Sequence, residues 1–179
     1  MADYRDSGLK CGLEIHQQLD TKKLFCNCSS LLRNDNPDFT AERKLHAVAG
    51  ESGEVDIAAS YQTSLEKKFI YQGYHDTTCL VELDESPPFE INKDALKIAL
   101  QISLMLNAMI FPLTQIMRKT VVDGSNTSGF QRTVMIAHSG FVQTEEGKVG
   151  IDSICLEEDS ARIISKEKNG DVYRLDRLG

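Results

Sequence analysis

The chain has 179 residues, 41% of them hydrophobic and 26% charged, which is enough apolar material for one large soluble domain or two small ones. Lys and Arg number 20 against 27 Asp and Glu, a formal net charge of -7, and this excludes the basic body of a protein that grips nucleic acid chiefly through its phosphates. No apolar run reaches the length of a membrane span, the start MADYRDSGLK has no apolar signal core, and five irregularly placed cysteines do not make a secreted disulfide framework, so a cytoplasmic protein with reduced thiols and no membrane contact is expected.

The first patterned stretch, GLKCGLEIHQQL, alternates Leu13, Ile15 and Gln17 with Glu14, His16 and Gln18. That period of two predicts a half-buried strand carrying Glu14 and His16 on one face. Residues 33–60 are polar and rich in turn formers, with a helical hint in the middle, and read as an insertion rather than a second core. Asn92 then stands as an N-cap before a helix with Leu96, Ile98, Ala99, Ile102, Met105, Leu106 and Met109 at three- and four-residue spacing, and Pro112 lies just past its expected end.

Two β-rich runs follow, 115–122 and 130–137, joined by the Gly/Ser/Asn loop 123–129. The rest of the chain reads as antiparallel strands, with polar turns at 145–147 and 169–170. The closing YRLDRLG stops in mid-pattern, which leads us to expect a fragment of a longer chain.

Candidate chemistry gathers around ICLEEDSARII, where Glu157, Glu158 and Asp159 sit between apolar pairs. Carboxylates with one imidazole suit Mg²⁺ or Mn²⁺, ions that bridge phosphate oxygens. In a strand, Glu157 and Asp159 share one face and Glu158 takes the other, so either Glu158 or the outer pair faces a site. The competing reading is a solvated strand edge that deters aggregation.

Arg118 and Lys119 before the loop 123–129, and Arg132 after it, could clamp an anion, although the loop lacks the Gly-Lys-Ser/Thr ending of a P-loop. Cys26 and Cys28 form a C-x-C, with Cys79 far downstream. Zinc sites more often read C-x-x-C twice, so the spacing disfavours zinc at Cys26, Cys28 and Cys79.

The stretches GLEIHQQLDTKKLFCNC, RKTVVDGSNTSGFQRT, CLEEDSARII and YRLDRLG, in this order, resemble the N-terminal catalytic region of the GatB/GatE family, in the wording of its archaeal branch. The resemblance implies an α+β cradle domain built on an antiparallel sheet, related in fold to glutamine synthetase and guanidino kinases. It implies a ligase that uses ATP and Mg²⁺ to phosphorylate the glutamate γ-carboxylate of Glu-tRNA(Gln) and then lets ammonia displace the phosphate. The ammonia would come from an asparaginase-like amidohydrolase subunit, and the tRNA would be held mainly by C-terminal domains absent from this chain, so the chain alone is expected to be inactive.

By the family's pattern His16 and Glu158 match metal ligands, with Glu14 as a further ligand or its neighbour. Glu157 and Asp159 would orient ligands or reach the metal through water. Arg118 and Lys119 match a basic pair that meets phosphate or the tRNA acceptor end, and Gln131 and Arg132 lie in the same block. Two positions depart from the family: Cys155 stands where members often have His, and CLVE, residues 79–82, stands where many bacterial members have a second cysteine pair. A four-cysteine zinc site is therefore not available, which leaves only a mixed set with Glu82. The reading from another class is a non-catalytic module that binds a partner subunit or RNA.

Overall fold

Strand-forming stretches dominate the chain and sort into two sheets. The computed structural model describes residues 8, 10–47, 49–50, 52–167 and 170–177. In chain order its elements are β1 (Phe39–Lys44), α1 (Ile57–Ser64), β2 (Lys68–Gly73), α2 (Lys93–Met105), β3 (Met109–Ile110), β4 (Ile116–Thr120), β5 (Phe130–Thr144), β6 (Gly147–Glu157), β7 (Arg162–Glu167) and β8 (Gly170–Arg174).

In the first sheet β5 is central. It pairs antiparallel with β6 along one edge, and with β4 and then β3 along the other. Register places Thr133 opposite both Met117 and Glu157, and Val134 opposite Ile116 and Leu156. Strand alternation then buries Arg132, Val134 and Ile136 on one face. That face packs with Leu156 against Leu24, Phe25, Ala95 and Ala99 to make the first core.

The helix α2 supplies Ala95 and Ala99, and its start is sewn to the segment before it. The Asn92 side-chain oxygen accepts from the amides of Asp94 and Ala95, at 2.9 and 3.1 Å, and its Nδ2 donates to the Lys22 and Lys23 carbonyls. The predicted helix is therefore present, but it stops earlier than its apolar spacing suggests. Asn107 takes a left-handed conformation, φ 52°, and turns the chain back, so Met109 enters β3 opposite His138. Met105 and Met109, expected on the buried face, are exposed.

The second sheet has the order β1-β2-β8-β7, with β2 and β8 parallel and the other neighbours antiparallel. The parallel pair joins strands a hundred residues apart, a pairing that no local hairpin signal reports. Residues 33–60 contribute a strand to this sheet. Their middle is β1, a strand of this sheet, and the helix falls at their end. A second core lies on this sheet, formed by Phe69, Tyr71, Ala161, Tyr173 and Leu175, all outside 33–60, with Leu45 and Leu83 packed against it.

The strand expected over 8–19 does not form: its described residues carry no strand hydrogen bonding, and Leu13 and Ile15 are 92% and 85% exposed. Alternation predicts a strand only where a partner edge exists to satisfy its backbone. Leu9, at its start, and Asn169, in the turn expected at 169–170, lie outside the described residues. Among the described residues no helix is long and apolar enough to cross a membrane.

The loop 123–129 is laid onto the second core. The Tyr71 hydroxyl donates to the Gly124 carbonyl at 2.7 Å, and the Tyr173 hydroxyl donates to that of Asp123. Gly124 has φ +86°, and a Cβ there would stand 2.4 Å from the Phe69 ring. Gly124→Ala should cost about 1–3 kcal/mol and lower the melting midpoint by several degrees. Gly150→Ala, where a Cβ meets nothing within 4 Å, should leave the midpoint within about a degree of wild type in the same calorimetric scan.

Candidate active site on the β4-β5-β6 sheet

Where β6 ends, its alternation divides the acidic trio. Leu156 and Glu158 turn to the buried face, and Glu157 lies on the other. Glu158 is 7% exposed, and the Arg132 guanidinium donates to both of its carboxylate oxygens, at 2.7 and 2.9 Å. Its backbone is held as well: the Glu158 amide donates to the Arg132 carbonyl at 3.0 Å, and the Gln131 side chain donates to the Glu158 carbonyl. Arg132 in turn lies over the rings of Phe25 and Phe130, at 5.4 and 5.5 Å. Burial pushes the Glu158 carboxyl above its ordinary range, against the opposing pull of Arg132.

The opposite face is open. Glu157 accepts from the Thr133 hydroxyl at 3.0 Å and lies 3.6 Å from the Lys119 ammonium on β4. Asp159, just past the strand, pairs with Arg177 at 3.1 Å. Burial raises the Asp159 carboxyl, and Arg177 and then His16 pull it down. Burial, then the Glu157 carboxylate, raises the Cys155 thiol, with a further push from Glu14. Glu14 and His16 lie more than a hundred positions earlier, on the segment whose expected strand does not form. Their own side chains are 3.3 Å apart and largely exposed.

The structure therefore brings Lys119 to Glu157 at one end of the sheet, with Asp159 just beyond on Arg177, and ties both Arg132 and the Gln131 side chain to Glu158, while Glu14 and His16 pair with each other on an exposed segment. Arg118 faces away from Lys119, as adjacent strand residues must, and lies over the Phe130 ring at 5.4 Å. The basic residues flanking the loop 123–129 do not converge on it. Across an open cleft of about 540 Å³, Thr127, Ser128 and Gly129 instead face Arg43, Lys44 and His46.

A second cluster stands behind the brace. Lys23, a buried lysine that no motif or spacing singles out, lies 3.2 Å from Glu82 and donates to the Leu175 carbonyl at 3.0 Å. Glu82 also accepts from the Cys26 thiol at 2.7 Å and from the Cys79 amide at 2.6 Å. Burial pushes the Glu82 carboxyl up, but Lys23 and these donors outweigh it and hold the group low. Burial raises the neighbouring Cys28 thiol to about 11. A cavity of about 10 Å³, room for one water, separates Lys23, Cys26 and Glu82 from Glu158 and Ser160.

A family model described as the GatB/GatE catalytic domain matches residues 9–179. Among similar proteins, the E subunit of glutamyl-tRNA(Gln) amidotransferase from Methanocaldococcus jannaschii is 56% identical over 178 residues. The proteins of the same name from Methanococcus maripaludis and Pyrobaculum aerophilum are each 53% identical. These matches cover 99% of this chain but only 28–29% of each relative, so the chain spans less than a third of their length.

The buried pair makes a signed prediction. Arg132→Leu leaves Glu158 without its counter-ion, so its folded-state pKa rises further above the ordinary 4.5. A carboxyl raised in the folded state favours folding below its unfolded value and loses that advantage as pH rises through the folded value. Denaturant unfolding should therefore show a loss of about 3–5 kcal/mol at pH 8, shrinking steadily toward pH 4.5. A loss independent of pH would show that Glu158 does not ionise in the pair.

Proposed function

The chain belongs to the GatB/GatE catalytic-domain family, and from that premise we propose that it activates the γ-carboxylate of glutamate esterified to tRNA(Gln), using ATP, so that ammonia can convert it to glutamine. The observation that carries this reading is the division of the acidic trio. One carboxylate is locked inside by arginine, which leaves Glu157 beside Lys119 and Asp159 beside Arg177 on the open side.

The chemistry needs that composition. A carboxylate resists attack by ammonia because its oxygen is a poor leaving group. Attack by that oxygen on the γ-phosphorus of ATP forms an acyl phosphate and expels ADP; ammonia then attacks the acyl carbon, inorganic phosphate leaves and a proton is lost. Bound Mg²⁺ supplies charge neutralisation on the phosphoryl oxygens during the first transfer. Oxygen donors with one imidazole fit that ion, and on this reading Glu14, His16, Glu157 and Asp159 hold it directly or through water. Lys119, beside Glu157, meets phosphate oxygens as a mobile point charge. Arg118, on the other face, is free to meet the acceptor end of the tRNA.

Glu158 takes a different part in this account from that of a ligand. Tied to Arg132, it sets the register in which its two neighbours face outward. Ammonia on this reading comes from an amidohydrolase partner of the asparaginase type. The acidic balance of the chain, -7, supports assigning most of the grip on tRNA to other parts of the assembly.

Titration with Mn²⁺ in the presence of ATP, followed by the loss of the free-ion resonance signal, tests the assignment. His16→Ala and Glu157→Gln should each weaken Mn²⁺ binding by at least about tenfold while leaving the melting midpoint near wild type. Binding unchanged in both variants would place the ion elsewhere and remove the support for phosphoryl transfer at this end of the sheet.

A further inference from the structure

On the open face of the first sheet, Glu157 is held unevenly. The Thr133 hydroxyl donates to its Oε1 at 3.0 Å, and the Lys119 ammonium stands 3.6 Å from that same oxygen. Among the described residues no hydrogen-bond donor reaches the other oxygen, Oε2. Resting on the reading that Glu157 holds Mg²⁺, we propose that Thr133 is a positioning residue: it makes Glu157 a one-oxygen ligand that offers Oε2 to the ion, and this hold favours Mg²⁺ over Ca²⁺ at the site.

The two contacts on Oε1 differ in kind. Thr133 lies on the central strand β5, directly opposite Glu157 on β6 and Met117 on β4, and is 8% exposed. A β-branched side chain has little χ1 freedom, so the backbone that sets the strand register also aims the hydroxyl. Lys119 is exposed, and its 3.6 Å separation is too long for a hydrogen bond. It is a screened, flexible charge that can leave Glu157 for a phosphate oxygen. Thr133 has one hydroxyl proton, and Glu157 takes it. The hold on Oε1 therefore outlasts the departure of Lys119.

Ion size turns that hold into a preference. Mg²⁺ demands near-ideal octahedral geometry at about 2.0–2.1 Å. The two oxygens of one carboxylate stand closer together than adjacent corners of so small an octahedron, so Mg²⁺ is served by one of them. Ca²⁺ takes six to eight oxygens at about 2.3–2.6 Å in flexible geometry and readily accepts both oxygens of a carboxylate. With Oε1 tied to Thr133, the carboxylate cannot turn both oxygens to the ion without losing its hydrogen bond, which penalises Ca²⁺ and leaves the Mg²⁺ mode intact. Of the acidic trio, only Glu157 is held by an uncharged donor in this way; Glu158 is locked to Arg132, and Asp159 pairs with Arg177.

Thr133→Val removes the hydroxyl and keeps a β-branched residue in the strand. Titration of the chain with Mn²⁺, which takes the same oxygen ligands as Mg²⁺, in the presence of ATP should show binding weakened by about tenfold, and Thr133→Ser should keep it within about twofold of wild type. Displacement of the bound Mn²⁺ by Mg²⁺ and by Ca²⁺ then reads the preference directly. The ratio of Mg²⁺ to Ca²⁺ affinity should fall by about tenfold in Thr133→Val and hold in Thr133→Ser, a change that lost packing alone does not produce. Thr133→Ala makes the same removal if Thr133→Val does not fold. A preference unaltered by the loss of the hydroxyl, with Mn²⁺ binding still weakened in Glu157→Gln, would overturn the proposal and leave the ion at Glu157. Mn²⁺ binding unaltered in Glu157→Gln would overturn the reading beneath it, and the proposal with that reading.

Discussion

The Arg132–Glu158 ion pair lies where β6 leaves the first sheet, and the facing of every other charged group on that strand end follows from it. An arginine and a glutamate with side chains each only 9% exposed are held there by two charge-assisted hydrogen bonds, a strand amide and two aromatic rings. Removing either partner would strand a charge in the core. With Glu158 held inward, the period of two leaves Glu157 no choice but the open face, and Asp159 follows beyond the strand end to Arg177.

The brace also joins the two halves of the molecule. Phe25, under Arg132, belongs to the first core, and its loop is tied to α2 through Asn92 and to the second sheet through Lys23 at the Leu175 carbonyl. From the second sheet, Tyr71 and Tyr173 fasten the loop 123–129, whose Asn126 accepts from the Ser160 hydroxyl just beyond the acidic trio. The open end of the first sheet is thus braced from below and open above, an arrangement that suits the phosphoryl transfer proposed for it.

Much of this can be read from the residues, and the failures share a cause. The Asn92 cap, the strand pair around the loop 123–129 and the β5-β6 hairpin are local: each is specified by residues within a few positions of one another. The strand expected over 8–19 does not form, and the parallel β2-β8 pair has no signal in the sequence, because each depends on which distant edge is available, a matter that periodicity does not encode. The alternation of the trio was readable, but not its direction, since nothing near Glu158 in sequence announces that Arg132, twenty-six positions earlier, will meet it. Buried Lys23 and the meeting of Cys26 and Cys28 with Cys79 and Glu82 were hidden for the same reason, being contacts between loops more than fifty residues apart.

Glu158, on this view, serves the fold through Arg132 while its neighbours face the reaction. An anomalous-difference map at the manganese edge, from crystals of the protein grown with Mn²⁺ and a non-hydrolysable ATP analogue, separates that division of labour from its alternative. A manganese peak is expected on the open face, within about 2.2 Å of donor atoms drawn from Glu14, His16, Glu157 and Asp159, or one water away, with the Arg132–Glu158 pair intact. A peak coordinated by Glu158, with Arg132 swung away from it, would make Glu158 a ligand and contradict the role given to it here.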